Sequence, residues 1–197
     1  MRLILASRSP QRRALLRQLG MPFRVVVSAH DEDVRHGEPL ATVEANARGK
    51  AEEVLGRVRL GADELVLGVD TVVVLGGRVL GKAADEGEAR AYLSALAGRR
   101  HEVHSGLYLR GQRGSFSGHA ITGVTFRPLA PSDVARYLAS GEWRGRAGAY
   151  AIQGLGSALV ASVEGDYFNV VGLPVALLVE GLATFGVRPF EWLAARV

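Results

Sequence analysis

The stretch 65–75, Leu65-Val66-Leu67-Gly68-Val69-Asp70-Thr71-Val72-Val73-Val74-Leu75, constrains the chain most, because it is almost unbroken in apolar residues yet carries one carboxylate in its middle. Such a run reads as a strand covered on both faces. An ionised carboxylate there is strongly disfavoured unless cations, a metal or hydrogen-bond donors compensate it. Something positive is therefore expected at Asp70. The plainer alternative is a strand-end Asp that bonds backbone amides. The residues that follow favour the first reading. Gly76-Gly77 signals a tight hairpin, the chain returns through Arg78-Val79-Leu80, and Gly81-Lys82 comes next. This hairpin is expected to carry a lysine back beside the Asp70 strand.

A length of 197 residues with 48% hydrophobic content is enough for one sizeable core, and a single domain over 1–197 is expected. No apolar run is long enough to span a bilayer, and the N-terminus reads as a short strand running into a helix rather than a signal peptide. A soluble cytoplasmic protein is expected. With no cysteine, disulfides, thiolate chemistry and cysteine zinc sites are excluded. A net charge of +4 and a pI of about 9.8 suit a phosphorylated partner or simply a solvated basic surface. The kind of charge is more informative. Of 24 basic residues only Lys50 and Lys82 are lysines, so either they survive a bias toward arginine by chance or their sites want a compact ammonium.

Arg2-Leu3-Ile4-Leu5-Ala6 reads as a buried strand. Ser9 is the expected N-cap and Pro10 the first residue of a helix with Leu15, Leu16 and Leu19 on one face, stopped at Gly20. The arginines of its first turn oppose the helix dipole. Together with the free amides they make an anion site, or else they are surface residues beside an ordinary cap. Phe23 to Val27 is expected as a strand. Asp31-Glu32-Asp33 then supplies either oxygen ligands for a hard cation or a solvated acidic loop. Thr42 is expected to cap a helix in which Val43, Ala47, Ala51, Val54 and Leu55 keep the 3.6-residue period. Lys50 falls on that inward stripe, either to snorkel to its edge or to point into a cleft.

Asp85 and Glu88 give a capping-box start to a helix with Ala89, Tyr92, Leu93 and Leu96 on one face. Strands are expected over 101–109 and 115–126, with His101 and His104 as strand-edge histidines that lack metal-site spacing. Pro131-Ser132-Asp133 opens another helix. The run 144–154 is punctuated by glycines that let backbone approach a ligand, and Gln153 can read a base through an amide that both donates and accepts. A strand at 159–163, a turn at 165–169 and an apolar helix from Pro174 to Phe185 complete the chain. The alternation of strands and helices points to an α/β or α+β sheet with long hairpins.

Four separated pieces resemble the Maf family of nucleoside triphosphate pyrophosphatases. They are Ala6-Ser7-Arg8-Ser9-Pro10-Gln11-Arg12-Arg13, Gly68-Val69-Asp70-Thr71-Val72-Val73, Gly145-Arg146-Ala147-Gly148-Ala149-Tyr150-Ala151-Ile152-Gln153-Gly154, and Gly165-Asp166-Tyr167-Phe168-Asn169-Val170-Val171-Gly172-Leu173-Pro174. The resemblance covers essentially the whole chain. It implies a long mixed β-sheet flanked by helices, related to that of inosine triphosphatases, with two lobes around a cleft. It also implies cleavage between the α- and β-phosphates of a nucleotide, assisted by a divalent cation, Mg²⁺ or Mn²⁺.

Carried over by residue, the resemblance makes Asp70 the catalytic base and Arg12, Thr71 and Gln153 the substrate-specificity positions. Their identities match the branch acting on dTTP and UTP rather than on 7-methyl-GTP. Ser7, Ser9, Arg13, Lys50 and Lys82 become phosphate-binding residues, and Asp70 with Glu32 the metal ligands. Both lysines thus fall on motif positions. Gln11 stands where the family has arginine, and Gly145-Arg146 where it commonly has an aspartate-lysine pair. The family is also linked to arrest of septum formation, so the alternative is a non-catalytic regulator that binds nucleotide or nucleic acid. No interleaved aromatic platform supports nucleic acid. No membrane partner is expected, and a homodimer is left open.

Overall fold

The strand carrying Asp70, β3 (Glu64–Leu75), is the one on which the sheet is assembled. A computed structural model describes residues 1–33 and 38–196. On one edge, the first half of β3 pairs in parallel with β1 (Arg2–Leu5), which pairs in parallel with β2 (Phe23–Val25). Farther along that edge, residues 73–75 pair with the returning hairpin strand β4 (Arg78–Leu80). The other edge pairs antiparallel with β5 (Arg100–Gly111), followed by β6 (Gly114–Phe126) and β7 (Val160–Glu164). The result is a seven-stranded mixed sheet ordered β2-β1-β3-β5-β6-β7, with β4 on β3.

The last link to the β1 segment is the Ala6 N–H donated to the Leu67 carbonyl at 2.9 Å. Among the described residues no strand pairs with 68–72 on that edge. The sheet is split there, and the split falls at Asp70 and Thr71.

Alternation along β3 sends its residues to two faces. Under α2 (Pro39–Leu55) the strand presents Val66, Gly68, Asp70, Val72 and Val74. Ala47, Ala51 and Val54 of the helix pack with Val66, Ile4 and Tyr108. On the opposite face Leu65, Leu67 and Val69 join a cluster with Leu15 and Leu16 of α1 (Pro10–Gln18) and Leu178 and Leu182 of α6 (Val175–Ala183). Val73 and Leu75 join a second cluster, built on Leu93 and Leu96 of α3 (Glu86–Leu96) and Val134 and Leu138 of α4 (Pro131–Ala139). Thr71 lies between the two, so one strand spans two apolar clusters with a polar gap between them.

Several expectations held. Ser9 caps α1 by accepting the Arg12 N–H, and Asp85 caps α3 by accepting the Glu88 N–H at 2.8 Å. Three differ. The second helix begins at Pro39, so Thr42 is a buried residue of its first turn rather than its cap. Proline at the first helical position needs no N–H partner and has a helical φ. The 165–169 turn runs into a short helix, α5 (Tyr167–Val171), because Asp166 Oδ1 accepts the Phe168 N–H at 2.8 Å as an N-cap. His101 and His104 are not edge residues. They are buried in β5, which is interior to the sheet between β3 and β6.

His101 is wedged edge-on against Phe126 and Tyr150, with Nε2 2.9 Å from the Tyr150 hydroxyl. Burial holds its pKa down to about 4, partly opposed by the nearby Arg99 backbone and reinforced by the Arg100 charge. Between pH 6.5 and 4 the unfolded chain therefore binds a proton that the folded chain does not. Stability falls as pH drops through that window, by about 3 kcal/mol for this group. Urea unfolding across the window should show that slope in the wild type and its loss in His101→Phe; equal slopes in the two proteins contradict the assignment.

Candidate active site

Lys50 and Asn46 are one helical turn apart on α2, and both reach Asp70. Lys50 Nζ lies 2.6 Å from Asp70 Oδ1, and Asn46 Nδ2 donates to Asp70 Oδ2 at 3.0 Å. All three side chains are buried. Two glycines let the helix come this close. A Cβ on Gly68 would meet the Ala47 carbonyl oxygen at 2.0 Å, and one on Gly106, the residue paired with Asp70 across the sheet, would meet the Val43 carbonyl oxygen at 2.3 Å. The cation expected at Asp70 is therefore Lys50, delivered by the helix stripe.

The hairpin lysine goes to a neighbour. Lys50 Nζ also lies 2.7 Å from Glu32 Oε1, and Lys82 Nζ lies 3.4 Å from Glu32 Oε2. Charges alternate along Asp70, Lys50, Glu32 and Lys82. Partial burial opposes ionisation of Glu32, but Lys50 and then Lys82 outweigh it and hold its pKa down at about 2. Asn46 secures the loop carrying this acid, because its amide accepts the Asp33 N–H at 3.0 Å and donates to the Asp33 carbonyl at 2.9 Å. Asn46 went unnoticed in the sequence. The available signal was an amide four residues before Lys50 on an otherwise small and apolar stripe.

On the other face, Arg12 gathers the β1–α1 turn around Thr71. Its Nε donates to the Gly172 carbonyl at 2.8 Å, Nη1 to Ser7 Oγ at 3.0 Å and Nη2 to Thr71 Oγ1 at 3.1 Å. Burial pulls the Arg12 pKa below its ordinary value, and the charges of Asp70 and Glu32 oppose that fall. Ser9 donates to Gln11 Oε1 at 3.1 Å. Two of the three specificity positions inferred from sequence, Arg12 and Thr71, are thus bonded to each other across 59 residues of chain.

These elements line one cleft of about 840 Å³. Ser7, Ser9, Arg12, Glu32, Lys50 and Asp70 are on its wall, as are Thr71, Lys82 and Gln153. Arg13 is the exception. One residue on from Arg12 it is turned about 100° around the helix, and it is absent from the lining, whereas Arg8 and Gln11 belong to it. The glycine-punctuated run forms the opposite wall through an isolated bridge between Lys82 and Ala147. There Arg146 faces the cleft, with a buried Nε that has no hydrogen-bond acceptor among the described residues. Arginines and lysines around a buried carboxylate suit a polyanionic ligand, with the carboxylate able to take a proton from an attacking nucleophile.

Among the described residues no three His, Asp or Glu side chains cluster as a ready metal site. Asp70 and Glu32 nevertheless meet at one ammonium in the cleft, presenting hard oxygen donors from two elements. Such a pair fits Mg²⁺ or Mn²⁺, which bind through one or two carboxylates with ligand phosphates and water completing the shell. Of the two readings of Asp31-Glu32-Asp33, the three-acid cation site is not formed among the described residues. Glu32 turns to the lysines, and the Asp33 backbone is held by Asn46.

A family model described as Maf-like protein matches residues 2–185. A dTTP/UTP pyrophosphatase of Moorella thermoacetica is 50% identical over 191 residues, covering 94% of this chain and 96% of that one. A dTTP/UTP pyrophosphatase of Deinococcus radiodurans is 44% identical over 189 residues, covering 96% and 95%. Among solved structures, the Staphylococcus aureus Ham1 protein aligns with a TM-score of 0.49 and 13% identity over 81% of this chain and 80% of its own.

Proposed function

The chain belongs to the Maf family, and from that premise we propose that it is a nucleoside triphosphate pyrophosphatase acting on dTTP and UTP. The observation that carries the reading is Asp70, a buried carboxylate opening on a cationic cleft and held by Lys50 and Asn46. Water adds to the α-phosphorus, the bond from that phosphorus to the oxygen bridging to the β-phosphorus breaks, and nucleoside monophosphate and pyrophosphate leave. Asp70 accepts the proton of the attacking water. Lys50 fixes the carboxylate through Oδ1 and Asn46 through Oδ2, so the base is positioned before substrate arrives. Ser7 and the α1 amides donate to phosphate oxygens, joined by Ser9 when its hydroxyl turns from Gln11 Oε1, while Lys82 and Arg146 on the far wall face the charge that develops on the leaving pyrophosphate.

Asp70 and Glu32 are the residues that would hold the divalent cation. When bound, Mg²⁺ or Mn²⁺ supplies charge neutralisation at the phosphates and helps orient the attacking water. Gln153 faces the base from the far wall, and Thr71 faces it from β3.

The test is pyrophosphate release from dTTP, UTP, CTP, dATP, GTP and 7-methyl-GTP with Mg²⁺, Mn²⁺ or chelator. The expected result is cation-dependent turnover fastest on dTTP and UTP and abolished by chelator. Fastest turnover of a purine nucleotide refutes the assigned substrate class. Nucleotide binding without turnover of any member refutes the enzyme and favours the regulator.

A further inference from the structure

The hydrogen bonds around Thr71 have a direction. Ser105 faces Thr71 across the β3–β5 register and is fully buried. Among the described residues its Oγ has one partner, Thr71 Oγ1 at 2.9 Å. A hydroxyl carries one proton and two lone pairs. If Thr71 were the donor of that pair, the Ser105 proton would be buried without an acceptor, which proteins avoid. Ser105 therefore donates. Arg12 Nη2, which can only donate, supplies the second bond to Thr71 Oγ1 at 3.1 Å. Both acceptor positions of Thr71 are filled, and its own proton is left for the cleft that the side chain lines.

Ser7 repeats the pattern on the neighbouring wall. Its Oγ accepts the Ser9 N–H at 3.1 Å and Arg12 Nη1 at 3.0 Å, so it too can only donate into the cleft. Arg12 feeds both hydroxyls. Ser105 is what completes the count at Thr71.

Resting on the proposed dTTP and UTP activity, we infer that Ser105 is a positioning residue that holds Thr71 as a donor-only hydroxyl, so that the cleft selects pyrimidines with a keto oxygen at ring position 4. Uracil and thymine offer Thr71 an acceptor there. Cytosine offers an amino group, a second donor against a hydroxyl with no lone pair to spare. Among the described residues the exposed Gln153 amide has no hydrogen-bond partner, so it can turn its oxygen to the ring N–H at position 3 of uracil and thymine or its NH2 to the bare ring nitrogen of cytosine, and the discrimination rests on Thr71. A site whose polar groups are committed in one direction rejects the wrong partner strongly, because a mismatch leaves buried groups unpaired.

The test compares kcat/KM for UTP and CTP in the wild type, Ser105→Ala and Thr71→Val. Removing the Ser105 hydroxyl returns a lone pair to Thr71, which can then accept from the cytosine amino group. The UTP-to-CTP ratio should fall about tenfold in Ser105→Ala, mainly through a lower KM for CTP, and should also fall in Thr71→Val. A general packing defect slows both nucleotides alike and leaves the ratio unmoved. An unchanged ratio in Ser105→Ala beside a shifted one in Thr71→Val overturns this inference alone. An unchanged ratio in both variants, with UTP still hydrolysed, removes Thr71 from the base and overturns the inference while leaving the pyrophosphatase standing. A wild type that does not hydrolyse UTP overturns the functional reading beneath it.

Discussion

Asp70→Asn is expected to lower kcat on UTP by about a thousandfold, the scale of losing a positioned general base, with KM little changed and the fold intact. Asparagine fills the same space and can still accept a hydrogen bond, but its amide cannot take a proton from water at neutral pH. Folding should tolerate the change because Lys50 keeps Glu32 Oε1 at 2.7 Å, so its ammonium is not stranded. Thermal unfolding within a few degrees of the wild type would show that the lost turnover is chemical. A folded Asp70→Asn protein with normal turnover removes Asp70 from the base role.

Lys50→Met has the second large effect, and here stability and activity fall together. Lys50 Nζ is the shared partner of Asp70 at 2.6 Å and Glu32 at 2.7 Å. Methionine fills the volume but leaves a buried carboxylate facing another acid. Removing one side of a buried ion pair costs about 3 kcal/mol. Glu32 is partly exposed and solvent eases its share, so most of the cost falls on Asp70. Urea unfolding should show that loss, and the double variant Lys50→Met/Asp70→Asn should recover most of it by removing the unpaired charge. Full wild-type stability in Lys50→Met, or a double variant weaker than the single, contradicts the coupling. Activity should be lost in the double variant, which has no carboxylate, and fall steeply in Lys50→Met, where Asp70 keeps Asn46 on Oδ2 but loses the contact that fixes Oδ1.

Local physics made much of this legible from the residues. An apolar run with one carboxylate demands a cation, and the 3.6-residue period of α2 placed Lys50 inward, so the central pair could be anticipated. Which lysine would meet Asp70 was less evident. The hairpin pointed to Lys82, yet the 68–72 edge of β3 faces the gap between β1 and β4, and Lys82 emerges beyond that gap beside Glu32. Register was hidden altogether. Nothing local shows that Gly106 lies opposite Asp70 or Ser105 opposite Thr71, because those pairings depend on how β5 aligns with β3.

The same applies to contacts between distant parts of the chain. Arg12 bonds a carbonyl 160 residues away at Gly172, and the period of α1 explains only why Arg12 turns inward while Arg13 does not. A polar residue in a strand reads as an edge signal, whereas an interior strand can bury a histidine that has a polar partner, the Tyr150 hydroxyl for His101 and the Glu102 carboxylate for His104. The hydroxyl directions at Thr71 and Ser7 emerge only from counting donors and lone pairs in three dimensions.

Attack at the α-phosphorus with Asp70 as base is tested most directly by phosphorus NMR of UTP during turnover in water enriched in heavy oxygen, run beside Asp70→Asn. The predicted spectrum shows UMP and pyrophosphate growing in equal amounts with the wild type, the isotope-shifted signal on UMP and none on pyrophosphate, and unchanged UTP with the variant. Heavy oxygen in the pyrophosphate, UDP and inorganic phosphate as the first products, or UMP and pyrophosphate formed equally fast by Asp70→Asn, would contradict it.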